Sequence, residues 1–309
     1  MASIEKVQNG GILTSDTLPE KKLKMKYVKN ALFQRATFGC AIILCIILLA
    51  IILFVGKSGL SVFKHVSVFT FFFSKHWDPS TDHYGAAVFI IGTIALTVLT
   101  MLIAVPASIA MAIFIGEVAP NWVKKILRPI LDIIVGIPSI IFGYLGLTIL
   151  IPLIMQVTGS IMGEGLLASA LVLAFMVLPT ITQVSDNAIA SVPTEVREAS
   201  YALGATRFQT VFRTILPAAK KGILTASILG MARALGETMA VVMVIGNTAQ
   251  LPHSLTTPTA VLTSNIVMQI LEVPFDSTWY KALFMMAFLL LIISTLSIVI
   301  IRKLRAKGV

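Results

Sequence analysis

Two charges stand where charge is expensive. Arg233 and Glu237 interrupt an apolar stretch, Ile223 to Ile245, that is otherwise fit to cross a membrane. At about 1.5 Å per residue, Arg233 lies roughly 16 Å from Gly222, near the middle of a bilayer. A charged side chain there costs on the order of 2.5–3.5 kcal/mol. Four positions apart, the two residues share one helix face and can pair. A guanidinium is a natural ligand for an oxyanion, because its planar fork donates two hydrogen bonds. Glu237 then neutralises Arg233 when the path is empty, or accepts a hydrogen bond from a protonated oxyanion. A structural ion pair that fixes packing accounts for the same residues, and the two uses are compatible. Gly222, Ala226, Gly230, Ala234 and Thr238 form a neighbouring stripe of small residues suited to close helix approach.

Other chemistries lack their residues. There is no G-x-x-x-x-G-K-[ST] to cradle ATP phosphates, no H-E-x-x-H, no G-x-S-x-G and no Cys/His cluster. His65, His76, His83 and His253 all fall in polar connections, and the three near Trp77 and Asp78 read as a solvated loop. Cys40 and Cys45 lie on different faces of one apolar run and read as buried free thiols, with neither disulfide nor metal. A membrane-embedded enzyme would have only Asp132, Arg233 and Glu237 to work with. The sequence therefore predicts no catalytic residue, no metal and no cofactor held by this chain.

The elements that must position these residues follow from composition. Of 309 residues, 57% are hydrophobic and 12% charged. A soluble domain carries about 25% charged residues, so a water-soluble or disordered chain is excluded. Long unbroken apolar runs argue against a membrane β-barrel. A helix needs roughly 20 apolar residues to span the hydrocarbon core. Six runs qualify: Thr37–Val55, Ala86–Ile115, Ile126–Val157, Leu166–Val184, Ile223–Ile245 and Ala282–Ile301. The third contains Pro129, Asp132, Pro138 and Pro152, which leave open whether it is one helix or two.

The net charge of +10 is largely a record of sidedness. The tail before residue 37 holds seven Lys/Arg, residues 116–128 three, residues 186–221 five and the end from 302 four. The alternate connections hold only Lys57, Lys64, Lys75 and Lys281. The positive-inside rule puts the first group, and both termini, in the cytoplasm. A nucleic-acid partner is not needed to explain the charge. The expected organisation is a cytoplasmic tail, 1–36, and a transmembrane domain, 37–309. The basic stretch Pro19–Arg35 suits either an anionic inner leaflet or plain solvation. Phe63, Phe69, Phe71, Phe72, Phe73 and Trp77 make residues 56–85 an interface or docking segment, or a helix that anchors the fold. Residues 247–280, rich in Thr and Pro, suit a re-entrant or partner-facing loop.

The connection from Asp186 to Lys221 is too long for a plain link. Pro193, Thr194 and Glu195 open a short helix in it and Gly204 closes one. Here the chain resembles the permease subunits of ABC importers, whose cytoplasmic loop carries E-A-A, three residues, G, nine residues, I, one residue, L-P. Glu198, Ala199, Gly204, Leu216 and Pro217 match; Ser200 replaces the second Ala, and Thr214 stands where Ile is expected. The R-A-L-G-E-T segment from Arg233, Ile245 to Thr248, Trp77-Asp78-Pro79, Tyr84-Gly85 and Gly136 to Ser139 resemble the phosphate-importer branch, the PstC subfamily. R-A-L-G-E-T is shared with the companion PstA permeases. The tryptophan-containing loop and the extra first span favour the PstC side.

The resemblance implies an all-α membrane protein with six transmembrane helices, the type I ABC importer permease fold and both termini cytoplasmic. Its importer core covers about 86–302 and its coupling loop 186–221. Residues Glu198, Ala199, Gly204, Leu216 and Pro217 couple to an ATPase, while Arg233 and Glu237 line the substrate pathway. The implied partners are a homologous second permease (PstA-like), two ATPase subunits (PstB-like) that use ATP and Mg, and an external phosphate-binding protein (PstS-like). The implied setting is the bacterial inner membrane. Molybdate, sulfate and phosphonate are the alternative substrates. An ion-coupled secondary transporter is the alternative class; it predicts paired broken helices with inverted symmetry, which the sequence does not display.

Overall fold

The structure, a computed structural model, describes residues 20–307. Among them, six helices are long and apolar enough to cross a membrane: Leu32–Lys64, Ala87–Val118, Ser139–Thr158, Leu166–Ala190, Arg207–Gly236 and Thr278–Lys303. The chain divides into two units, 1–54 and 55–309. The first is described from Glu20, where helix α1 (Glu20–Leu60) begins. Residues 1–19 of the expected tail lie outside the described residues, and 20–36 are the opening turns of this helix. Cys40 and Cys45 are free, but both are exposed rather than buried. Their helix is apolar on every side, so it has no single face that turns inward.

In the second unit, α7 (Leu166–Ala190) is the central helix, the most buried of the spans, with 61% of its apolar window inside the protein. It packs on α3 (Ala87–Ile113) and on α10 (Leu216–Gly236). The small-residue stripe explains the second contact. A Cβ at Gly222 would collide with Ala188, and one at Gly230 with Ile181. Ala226 and Ala234 are buried between them. Thr238 falls beyond the end of α10 and is not part of the contact.

Two of the expected spans are broken. The third apolar run divides into α4 (Asn121–Gly136), α5 (Ser139–Leu145) and α6 (Ile151–Thr158), the last two joined by a π-helical turn into one span. Proline explains the break: Pro138 pushes Ile137 into extended backbone, φ −71° and ψ 130°. The fifth run is displaced as well as broken. Its helical stretch begins at Arg207 and ends at Gly236; Glu237 is extended, φ −73° and ψ 129°. A separate helix, α11 (Met239–Val244), follows. The two breaks are neighbours, because α11 packs on α5 with Ala240 against Gly143. Two neighbouring breaks are thus present; the inverted symmetry that a secondary transporter also predicts is a separate feature that they do not supply.

The end that holds residues 56–85 is closed by small elements. These are α2 (Val68–Phe73), a two-stranded antiparallel hairpin of β1 (Trp77–Asp78) and β2 (His83–Tyr84), and α12 (Leu262–Gln269). They share a core with α3 and the last span, α13 (Thr278–Lys307), built on Phe71, Tyr84, Phe89, Leu262, Leu283 and Met286. Residues 56–85 are therefore partly fold anchor, although Phe69 and Phe73 stack on each other in the open. The later stretch also folds back, with Thr259 bridged to Gly246 and α12 packed on α13 and α3.

Candidate functional site

Arg233 sits in the last turn of α10, not in the middle of a continuous helix. A cation is favoured there by the carbonyl end of the helix. The expected pairing with Glu237 is not formed. Among the described residues the ion pairs are Arg128–Asp186, Arg197–Glu117 and Lys281–Asp276. The helix ends between Arg233 and Glu237, so the two no longer share a face. Arg233 Nη1 instead donates to Thr180 Oγ1 of α7 at 2.9 Å. Glu237 turns to the next helix, where its Oε1 accepts from the Ala240 amide at 3.3 Å. The Thr263 hydroxyl donates to the Glu237 carbonyl at 3.4 Å.

One turn along α7 from Thr180, Gln183 donates through Nε2 to Asp132 Oδ1 of α4 at 2.9 Å. Arg233, Thr180, Gln183 and Glu237 are all half-buried. Arg233, Thr180 and Gln183 form a polar row that starts at one helix break and leads along α7, while Glu237 bonds to the first turn of α11. Thr180 and Gln183 are uncharged and lie in an ordinary apolar helix, so only the fold reveals them.

The loop motif folds as a helix, a bend and a second helix. Pro193 is followed by α8 (Thr194–Ala202), which carries Glu198 and Ala199 on exposed surface. The bend is a Schellman motif: Gly204 N–H donates to Tyr201 O at 2.9 Å and Ala205 N–H to Ser200 O at 3.2 Å. Gly204 has φ +81°, the left-handed region that favours glycine. Thr206 and Gln209 then form a capping box that starts α9 (Arg207–Thr210). A π-helical turn leads into α10, where Leu216 and Pro217 occupy the first turn, a place that tolerates proline. Leu203 (89% exposed) and Phe208 (69%) leave apolar surface on either side of the bend.

Charged residues that sequence reasoning missed hold this segment. Arg197 of α8 pairs with Glu117 and donates through Nη2 to Ile189 O at 2.8 Å, so it ties α8 to the ends of α3 and α7. Arg207 donates to the Glu117 carbonyl. Arg128 of α4 bonds the buried Asp186 through Nε at 2.9 Å. Apart from Arg197 and Ile189, which are 8 residues apart, these partners are 58 to 90 residues apart, so no local spacing announces them.

At the opposite end, the indole nitrogens of Trp77 and Trp279 both donate to Gln269 Oε1, at 3.2 and 2.8 Å. The Asp78 carboxylate is held below its ordinary range, first by the Ser80 hydroxyl and then by the Thr81 hydroxyl. Burial, with the bond to Asp82, pushes the Tyr84 phenol up to about 12. His76 and His83 are exposed, and no group of three or more His, Cys, Asp or Glu among the described residues is arranged for a metal.

Residues 104–307 match the family described as binding-protein-dependent transport system inner membrane component. A probable ABC transporter permease, YqgH of Bacillus subtilis (strain 168), is 46% identical over 82% of this chain and 84% of its own length. The phosphate transport system permease protein PstC of Xylella fastidiosa (strain 9a5c) is 35% identical over 75% of this chain and 77% of its own. Among solved structures, a chain of a bacterial ABC transporter for import of the acidic polysaccharide alginate superposes with a TM-score of 0.60. It covers 93% of this chain and 98% of its own, at 15% identity. A chain of the MetNI methionine ABC transporter, inward facing, gives a TM-score of 0.55 over 70% of this chain and 92% of its own, at 22% identity. At such identities the two superpositions establish the type I importer fold and not a substrate. The chain belongs to the inner membrane components of binding-protein-dependent transport systems, as a multi-pass permease subunit of an ABC importer.

Proposed function

We propose that this permease carries inorganic phosphate into the cell. The observation that carries the reading is Arg233: a half-buried guanidinium at a helix break, with one of its five N–H donors on Thr180. The remaining fork suits a tetrahedral oxyanion. The PstC relatives, named for phosphate transport, make phosphate the first choice among oxyanions. A protonated phosphate also needs an acceptor, and the Glu237 carboxylate lies across the same break.

In this reading a homologous second permease of the PstA kind supplies the other half of the path. Two PstB-like ATPases bind and hydrolyse ATP with Mg on the cytoplasmic side, and a PstS-like protein delivers phosphate outside. Residues 194–204, with Leu216 and Pro217 at the start of the following span, transmit the movement of the ATPases. The chain itself makes and breaks no covalent bond. The breaks at 136–138 and 236–238 are where the path bends as access alternates. Both termini face the cytoplasm.

The test is uptake of labelled phosphate by cells that carry the whole importer with Arg233→Gln. Losing the charge should cut uptake about tenfold or more, the scale of one charge-assisted hydrogen bond to an anion, while the ATPases still co-purify. Normal phosphate uptake by this variant would reject the pathway role. Accumulation of labelled sulfate or molybdate in place of phosphate would move the substrate elsewhere within the oxyanions.

A further inference from the structure

The two departures from the importer motif, Ser200 and Thr214, meet in space. Thr214 Oγ1 donates to Ser200 Oγ at 3.4 Å, and Ser200 Oγ lies 3.0 Å from Thr210 Oγ1. Thr210 is fully buried, and its hydroxyl is satisfied by Ser200. The three residues come from the last turns of α8, the end of α9 and the π-helical turn after it. Their hydroxyls thus join the helix before the Gly204 bend to the span after it, across a segment whose glycine leaves the angle soft. Ser200 and Thr214 also line the open groove of about 460 Å³ beside the bend, with Val196, Ala199, Leu203 and Arg213.

We infer that Ser200, Thr210 and Thr214 are positioning residues, a hydroxyl latch that fixes the angle of α8 against the fifth span. Serine at 200 and threonine at 214 are then one linked substitution. An alanine and an isoleucine would hold the same angle by apolar contact. Mixing the two solutions leaves a buried hydroxyl without a partner. The inference rests on the reading of 194–204 as the ATPase contact.

The test uses the assembled importer in vesicles, with Cys40 and Cys45 replaced by alanine and nitroxides at Glu195→Cys and Lys220→Cys. Both labelled positions are exposed and outside the latch. Ser200→Ala should broaden the inter-label distance distribution about twofold, and should lower labelled phosphate moved per ATP several-fold. The set Ser200→Ala/Thr210→Val/Thr214→Ile should narrow the distribution again and bring transport per ATP back to within about twofold. An unchanged distribution in Ser200→Ala overturns the latch. So does an apolar set that stays as broad as Ser200→Ala. Gly204→Asp is measured alongside. If it transports normally, the ATPase-contact reading fails, whereas the label distances judge the latch in either event.

Discussion

Arg233 and Glu237 face different tasks on the two sides of one helix break. Arg233 sits in the last turn of α10 and reaches Thr180; Glu237 holds the first turn of α11 through the Ala240 amide. A glutamine keeps an oxygen that can accept from that amide, and an alanine does not. Glu237→Gln should therefore keep assembly and melt within a few degrees of the native protein. Glu237→Ala should lose about 1 kcal/mol, the size of a helix cap, and should assemble less well. Thermal unfolding in detergent and co-purification of the ATPases measure both. Uptake then separates the remaining role: if Gln assembles fully but moves phosphate poorly, the negative charge or a proton acceptor is needed in transport. Equal melting of Gln and Ala would show that the cap contributes nothing. The identity of these two residues as the costly charges was legible from their apolar surroundings. Their partners were not, because i to i+4 pairing presumes an unbroken helix and this helix stops between them.

Helix α8 is an element whose exposed face and bend invite a partner, while its anchoring is internal. Arg197 fastens it to Glu117 and to the end of α7, so force on α8 reaches α3 and α7 directly. Among the described residues, nothing beyond its chain neighbours lies within 4 Å of a Cβ built at Gly204. A side chain there clashes with nothing internal and acts through backbone strain and through what docks outside. Gly204→Ala should cost about 1–2 kcal/mol of local strain from the positive φ, with transport reduced but present. Gly204→Asp adds a charge to the proposed docking face and should abolish uptake of the proposed substrate, phosphate, while leaving membrane insertion intact. Normal uptake and normal ATPase binding in Gly204→Asp would remove the coupling role. The helix itself was readable from Pro193, Thr194, Glu195 and Gly204, because caps and stops are local chemistry. The break at Pro138 was half-readable, since proline restricts its predecessor. The break at Gly236 was not. Glycine merely weakens a helix there, and the bonds from Ala240 and Thr263 that stabilise the interruption come from later in the chain.

At the scale of the molecule, the fold sorts the connections into two ends. The Lys/Arg-rich stretches 116–128 and 186–221 are held together by Arg197–Glu117 and Arg128–Asp186, and the first is closed on itself by the 2.7 Å bond from Lys124 to the Gly116 carbonyl. The poor stretches gather at the other end, where Gln269 joins Trp77 to Trp279 and Leu262 N–H donates to Thr93 Oγ1 at 3.0 Å. A bilayer that retains positive loops in the cytoplasm reads this sorting as orientation. Three single-cysteine proteins, made without Cys40 and Cys45, test it at positions that are exposed in the fold: Ser80→Cys, Ser254→Cys and Glu195→Cys. A membrane-impermeant thiol reagent added to spheroplasts should modify the first two at once. It should reach Glu195→Cys only after the membrane is opened. The hairpin around Ser80 is pinned by Asp78 and by the Trp77–Tyr84 ring contact, so labelling there reports sidedness rather than a loose tip. Reversal of the pattern would invert the protein and put residues 194–204 outside, where no ATPase could reach them. Labelling of all three positions in sealed cells would mean that the two ends are not on opposite sides of the membrane at all.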